Sequence, residues 1–88
     1  MRNDLHDDRL RYGGWVTFGW RSARVMFPDF PELDARARCG AGFDDAIRAQ
    51  LARHMSELIE SGAPLPSPSI VLGRDGRPVR WYTVRRPG

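Results

Sequence analysis

Apolar and polar positions alternate along the first part of the chain, which is the period of a half-buried β-strand. Residues 15–20 are rich in aromatic and β-branched side chains and predict a first strand. Residues 23–27 predict a second strand, with Val25 and Phe27 on one face, and the two strands form a hairpin. Residues 34–39 predict a third strand, although alanine and arginine also favour a helix there. Its small side chains would point inward: Ala35, Ala37 and Cys39.

The period changes to that of a helix over residues 43–61, where apolar side chains recur every three or four positions. Gly62 marks the end of this helix, and a proline-rich connector follows. Residues 70–72 and 79–84 predict one or two further strands, separated by a turn at residues 73–76. The apolar side of the helix is predicted to hold Phe43, Ile47, Leu51, Met55, Leu58 and Ile59.

These elements predict an α+β fold in the order β-β-β-α-β. A small antiparallel sheet of three to four strands would carry one amphipathic helix on one face. A chain of 88 residues has too little apolar surface for a second core. We therefore predict a flexible leader at 1–11, one domain at 12–84 and a tail at 85–88.

Composition and charge limit the classes of function. All 14 basic residues are arginine and the net charge is +3, which by itself does not imply nucleic-acid binding. Cys39 is the only cysteine, so neither an internal disulfide nor a cysteine zinc site is expected. The leader has no apolar stretch and no run is long enough for a membrane helix. We expect a cytoplasmic, non-catalytic protein without a cofactor, a metal or a membrane partner.

The stretch FPDFPE at residues 27–32 ends the second strand on two prolines. Each proline fixes φ and removes a backbone donor, so the strand pairing stops there and the chain leaves the sheet as a rigid loop. Phe30 fits the core better than a contact surface. The nearby acids Asp29, Glu32 and Asp34 are interpreted as solvated carboxylates or as contacts to a basic partner, rather than as a metal site.

Three stretches in order resemble the HicB family of antitoxins: FPDFPE at 27–32, GFDDA at 42–46, and ESGAPLPSPS at 60–69. The resemblance covers roughly residues 23–69 and implies a partial RNase H-like fold, often dimeric. It also implies binding to a small HicA-type toxin, a ribonuclease that cleaves mRNA, whose active site the antitoxin blocks. Gly42 stands where the family usually has threonine. The DNA-binding domain of many members does not follow, so operator binding is not expected.

The first strand also offers a contact residue. Trp15 and Trp20 have opposite parity, so they cannot both face the helix, and one of them is available to a partner. Together with the proline-flanked stretch, this gives a set of candidate partner-binding residues: Trp20, Met26, Asp29, Phe30 and Glu32.

The last 15 residues are strongly basic, with Asp75 as their one acid and aromatic side chains between the arginines. This pattern predicts an alternative function, a small nucleic-acid-binding or regulatory module. A charged edge strand that discourages aggregation explains the same pattern. A third interpretation is a domain that has lost its toxin. The candidate nucleic-acid contacts are Arg74, Arg77, Arg80, Trp81, Arg85 and Arg86.

Overall fold

The structure is a computed structural model that describes residues 9–87. The strands form one antiparallel sheet in the order β3-β2-β1-β4, and the helix packs on one face of it. This confirms the predicted α+β fold in the order β-β-β-α-β, and of the three to four strands predicted the sheet has four. The elements are β1 (Arg9–Phe18), β2 (Ser22–Met26), β3 (Ala35–Arg38), α1 (Phe43–Glu60) and β4 (Val79–Arg85).

The first strand is longer than predicted. β1 begins at Arg9 rather than at Trp15, and its first residue pairs with Arg85 of β4. Residues 9–11, which we predicted as leader, therefore belong to the sheet, and so does the first residue of the predicted tail. Residues 1–8 of the predicted leader lie outside the described part of the chain.

Two glycines that look like a break in the sequence lie inside β1 and allow close packing on both faces. A Cβ atom at Gly13 would lie 2.9 Å from the ring of Trp81, and one at Gly14 would lie 2.4 Å from Cγ1 of Val25. Both approaches are too short for a side chain. Gly13 and Gly14 are thus needed for close packing in β1. They do not form the break that two adjacent glycines suggest in the sequence.

The core lies between α1 and one face of the sheet. The predicted alternation of β2 is confirmed, since Val25 is fully buried while Arg24 and Met26 are exposed. The inward placement of Cys39 is wrong, because β3 ends one residue earlier and Cys39 is exposed. The buried residues of the core cluster are Tyr12, Val16, Ala23, Val25, Phe27, Phe30, Ala35, Phe43, Ile47, Leu51, Met55, Tyr82 and Val84.

The helix matches its predicted span to within one residue. Its N-cap is Gly42, with φ of 89° and no capping side chain. At the other end, Gly62 (φ 82°) donates to the carbonyl of Ile59, and Ala63 donates to that of Leu58. This is a Schellman motif, which satisfies the last carbonyls. Ile59, predicted on the buried side, is 37% exposed.

No helix within residues 9–87 combines the length and the apolar character needed to cross a membrane.

The predicted turn at 73–76 forms, with Arg74 and Arg77 paired across it. The predicted strand at residues 70–72 is not formed; this stretch is an extended connector that is anchored by the buried side chain of Val71. Side-chain contacts, rather than strand pairing, hold it in place.

Candidate partner-binding surfaces

Residues 27–34, the proline loop, are organised around Phe30. Its side chain is completely buried and packs edge-to-face on Tyr12, with ring centroids 4.7 Å apart. Its amide donates to the carbonyl of Phe27, and its own carbonyl accepts from Leu33. The core interpretation of Phe30 is thus confirmed, and its inclusion among the partner-binding residues is wrong: a side chain without exposed surface cannot meet a partner.

The proline loop is joined to the proline-rich connector by hydrogen bonds. Asp29 accepts from the backbone N–H of Ser69 at 2.9 Å and from its hydroxyl at 2.6 Å. The hydroxyl of Tyr12, beneath Phe30, donates to the carbonyl of Pro66 at 2.7 Å. Burial, followed by the nearby charge of Asp29, raises the pKa of Tyr12. The connector is therefore fixed to both the loop and the core.

The other two acids of the proline loop contact two further elements. Glu32 lies 2.5 Å from Nε2 of His54 in α1, and this hydrogen bond lowers the pKa of Glu32. Asp34 accepts from Arg36 of β3 and Arg24 of β2, and the bond from Arg36 is the larger cause of its lowered pKa. Within residues 9–87, no group of three or more His, Cys, Asp or Glu side chains is placed to hold a metal ion.

The tip of the β1–β2 hairpin carries the most exposed aromatic surface. Trp20 is 88% exposed and Phe18 is 63% exposed; we call these two side chains the hairpin-tip patch. Trp15 is half-buried, and its indole N–H donates to the carbonyl of Leu72 at 2.8 Å. Neither tryptophan faces the helix, because Trp15 lies on the opposite face of the sheet, and Trp20 is the more exposed of the two.

Sequence reasoning missed Phe18. Its parity in β1 is that of the buried residues Tyr12 and Val16, so the pattern places it in the core. In the structure Phe18 is instead exposed and borders a cleft of about 110 Å³ beside the start of α1. The other residues lining the cleft are Ala23, Cys39, Gly40, Phe43 and Arg80.

The five predicted partner-binding residues do not form one surface. Met26 is exposed but pairs with Trp15, at the end of β2 that is far from Trp20. Asp29 and Glu32 are held by contacts within the chain. Of the set, Trp20 keeps the character of a contact residue, and Phe18 joins it.

The arginine-rich C-terminal segment is divided between the two faces of the sheet. Arg80 points toward the helix, where it contacts both carboxylate oxygens of Asp44 at 2.7 and 2.8 Å. The hydroxyl of Tyr82 donates to the same carboxylate at 2.7 Å. Trp81 and Arg85 alternate with these residues and lie on the opposite face. The six predicted nucleic-acid contacts are thus not one continuous site, because Arg80 is engaged with the helix.

The contacts that Asp44 makes with Tyr82 and Arg80 shift the pKa values of Asp44 and Tyr82. Burial, followed by the hydrogen bond to Asp44, raises the pKa of Tyr82 strongly. The hydrogen bond from Tyr82, followed by that from Arg80, lowers the pKa of Asp44. The carboxylate thus joins the first turn of α1 to β4, and its role is to hold the helix on the sheet.

Comparison with known proteins does not assign this chain to a family. No family model matches it, and no curated protein matches it. What the chain does must therefore be inferred from its own contacts.

Proposed function

We propose that this chain is a HicB-like antitoxin domain that binds a small HicA-type mRNA-cleaving toxin and covers its active site without catalysing a reaction. One observation carries the proposal. Two of the three stretches that carry the resemblance, 27–32 and 60–69, meet in the structure through Asp29 and Ser69, which are 40 positions apart in the chain. An accidental likeness would not require the two stretches to touch.

The contact gives each motif a physical reason. The prolines stiffen the loop and the connector, so that little conformational entropy is lost when they are held together. Phe30 anchors the loop in the core, and Tyr12 holds the connector through Pro66. The paired motifs therefore form a rigid support for the sheet, which suits a protein that acts by presenting a fixed shape to a partner.

The hairpin-tip patch is the surface on which we place the toxin. Exposed tryptophan and phenylalanine side chains are enriched at protein interfaces because they bury a large area with few rotatable bonds. Phe18 lines a cleft that a side chain of the partner can enter, and Trp20 follows it two positions along the chain. The acids of the proline loop are engaged within the chain, so we assign them to the support rather than to the toxin contact.

Co-expression with a HicA-type toxin from an adjacent short reading frame tests the proposal. We expect the chain to restore growth and to co-purify with the toxin, and the double variant Phe18→Ser, Trp20→Ser to do neither. The matched control is Ile70→Ser, which removes an apolar side chain of similar exposure (87%) away from the hairpin tip. The antitoxin assignment is wrong if the unaltered chain neither restores growth nor binds the toxin.

A further inference from the structure

The face of the sheet turned away from α1, here called the open face, is built mainly from arginine and tryptophan. On each strand, its residues alternate with those of the core. The carboxylate of Asp34 lies at one corner and is shared between Arg24 and Arg36. The residues of the open face are Arg9, Arg11, Gly13, Trp15, Thr17, Ser22, Arg24, Met26, Arg36, Arg38, Val79, Trp81, Thr83 and Arg85.

The strand register sorts these side chains into three zones. At one end, Arg24 lies opposite Arg36, and Arg38 is next along β3. At the other end, Arg9 lies opposite Arg85. The tryptophans occupy the zone between these ends, since the rung of Trp15 also holds Met26 and Val79, and Trp81 lies opposite Gly13. Cationic groups therefore flank an aromatic centre.

The arginines of the open face repel one another, and a bound anion would reduce this repulsion. At the end of the face near Asp34, Arg24 lies directly opposite Arg36, and like charges opposite each other destabilise paired strands. One carboxylate, that of Asp34, is shared between these two guanidiniums, and Arg38 adds a third positive charge beside them. A polyanion lying across the face would offset the remaining positive charge, which is the charge complementarity expected of a binding surface.

The aromatic centre is suited to stacking. The six-membered ring of Trp81 lies over Gly13, and the guanidinium of Arg11 lies over the same indole, 5.2 Å from the ring centroid. Arg74 lies over Trp15 in the same way, at 5.6 Å. Indole rings and guanidinium planes both stack on nucleobases. An acidic peptide would use the arginines but would have no use for this paired stacking.

We propose that the open face binds single-stranded nucleic acid. The arginines at its two ends contact phosphates, and bases stack on Trp81 and Trp15 with their associated guanidiniums. The site differs from the C-terminal segment predicted from sequence, because it draws Arg11, Arg24 and Arg38 from other strands and leaves Arg80 out. It is independent of the proposed toxin contact at the hairpin tip.

Fluorescence anisotropy with labelled oligonucleotides of about a dozen residues, near the span of small single-strand-binding folds, tests the proposal. Oligo-uridine, oligo-thymidine and a duplex of the same length are titrated across a range of salt. The triple variant Arg11→Gln, Arg38→Gln, Arg85→Gln should lower the magnitude of the slope of log K against log salt by about 1.4, because Arg38 and Arg85 each neutralise a phosphate that contributes roughly 0.7 to the slope. The loss of Arg11 should in addition weaken stacking at Trp81. The two single strands distinguish RNA from DNA as the preferred ligand.

The control with the same change of charge is Arg21→Gln, Arg53→Gln, Arg86→Gln, which alters exposed arginines outside the open face and should leave most of the affinity. Trp81→Leu should weaken binding roughly 5- to 150-fold at fixed salt, as expected when one base no longer stacks on an aromatic ring. Phe18→Ser, Trp20→Ser should bind the oligonucleotide as the unaltered chain does, so that a failed toxin test and a failed nucleic-acid test remain distinguishable.

Several results would overturn the proposal. These are undetectable binding at low ionic strength, equal losses of affinity in the two arginine triples, or a glutamate-rich peptide that competes as well as the oligonucleotide. Tighter binding to the duplex, with no effect of Trp81→Leu, would also contradict it, because stacking would then play no part. Circular dichroism confirms folding of each variant, and the arginine variants decide the matter if the tryptophan variant does not fold.

Discussion

The carboxylate of Asp29 accepts both the backbone N–H and the hydroxyl of Ser69, and thereby closes a loop of chain that contains β3 and all of α1. The contact has a structural role, because it holds the proline-rich connector after α1 against the proline loop before the chain continues toward β4. It joins two proline-containing stretches that are 40 positions apart in the sequence.

Breaking this contact should lower the free energy of unfolding, and the effects of changing Asp29 and Ser69 should not be additive. We expect Ser69→Ala to reduce the free energy of unfolding by about 1 kcal/mol, which is the net contribution of a typical intramolecular hydrogen bond. Asp29→Ala should cost more, because it also removes the acceptor of the backbone N–H of Ser69. The double variant should cost less than the sum, because both changes remove the bond between the Ser69 hydroxyl and the Asp29 carboxylate. Urea denaturation measures the cycle, and Ser67→Ala in the same connector is the control. Strictly additive losses of stability would show that the two residues act independently.

Phe30 and Trp20 provide a direct contrast between a core and a surface aromatic residue. Phe30→Ala should destabilise the fold by about 3–5 kcal/mol, since it removes a completely buried ring that packs on Tyr12. Trp20→Ala should change stability by about 0.5 kcal/mol or less, because its side chain is already in solvent. Chemical denaturation of both variants checks the ranking, and a small effect at Phe30 would contradict its role as the anchor of the loop.

The two buried tyrosines should make the fold sensitive to alkali. The pKa values of Tyr12 and Tyr82 are raised above the ordinary 10.0, chiefly by burial, so the unfolded chain releases these protons more readily than the folded one. Their contribution to stability is complete below pH 10 and is lost as the pH rises toward the folded values. Absorbance at alkaline pH should show both ionising together with unfolding.

The Tyr82→Phe variant separates this effect from general alkaline damage. It should be less stable at neutral pH, because the hydrogen bond to Asp44 is absent, and its stability should fall less steeply above pH 10. Reversible ionisation of Tyr82 near pH 10 in the folded chain would be inconsistent with its burial against the helix.

The adjacent glycines of β1 should tolerate a methyl group differently. Gly14→Ala should cost about 1–3 kcal/mol, because the new carbon meets Val25 and the backbone carbonyl of Met26 within the core. Gly13→Ala should cost less, because the neighbour that must yield is the outer end of the Trp81 side chain. A shift in tryptophan fluorescence should accompany only the Gly13 change, and the reverse ranking of stability would contradict the packing described for β1.

The elements with a clear period were predictable from the sequence, because periodicity reports which face is buried. α1 was predicted to within one residue, and the alternation in β2 was correct. The start of β1 was missed because Gly13 and Gly14 usually interrupt strands, and their reason for being here lies in partners that are distant in sequence. Local pattern carries no information about those partners.

The candidate surfaces were harder to predict for the same physical reason. Phe18 has the parity of a core residue, yet it borders the cleft at the start of α1 and is exposed. Arg80 belongs to a basic run, yet its direction is set by alternation in β4 and by Asp44. The open face draws residues from all four strands, so its composition becomes visible only when the order and register of the sheet are known.

The pairing of Arg9 with Arg85 brings the two ends of the described chain to one corner of the sheet. A short linker between these ends and a new opening in the exposed loop at residues 40–42 would give a circular permutant in which every strand pair is kept. The chain would then run α1, β4, β1, β2, β3. The pairing of β1 with β4, which joins the first and last strands of the natural chain, would then join two consecutive strands. Because folding rates rise as contacts become more local, this rearranged chain should fold faster than the natural order while reaching the same sheet.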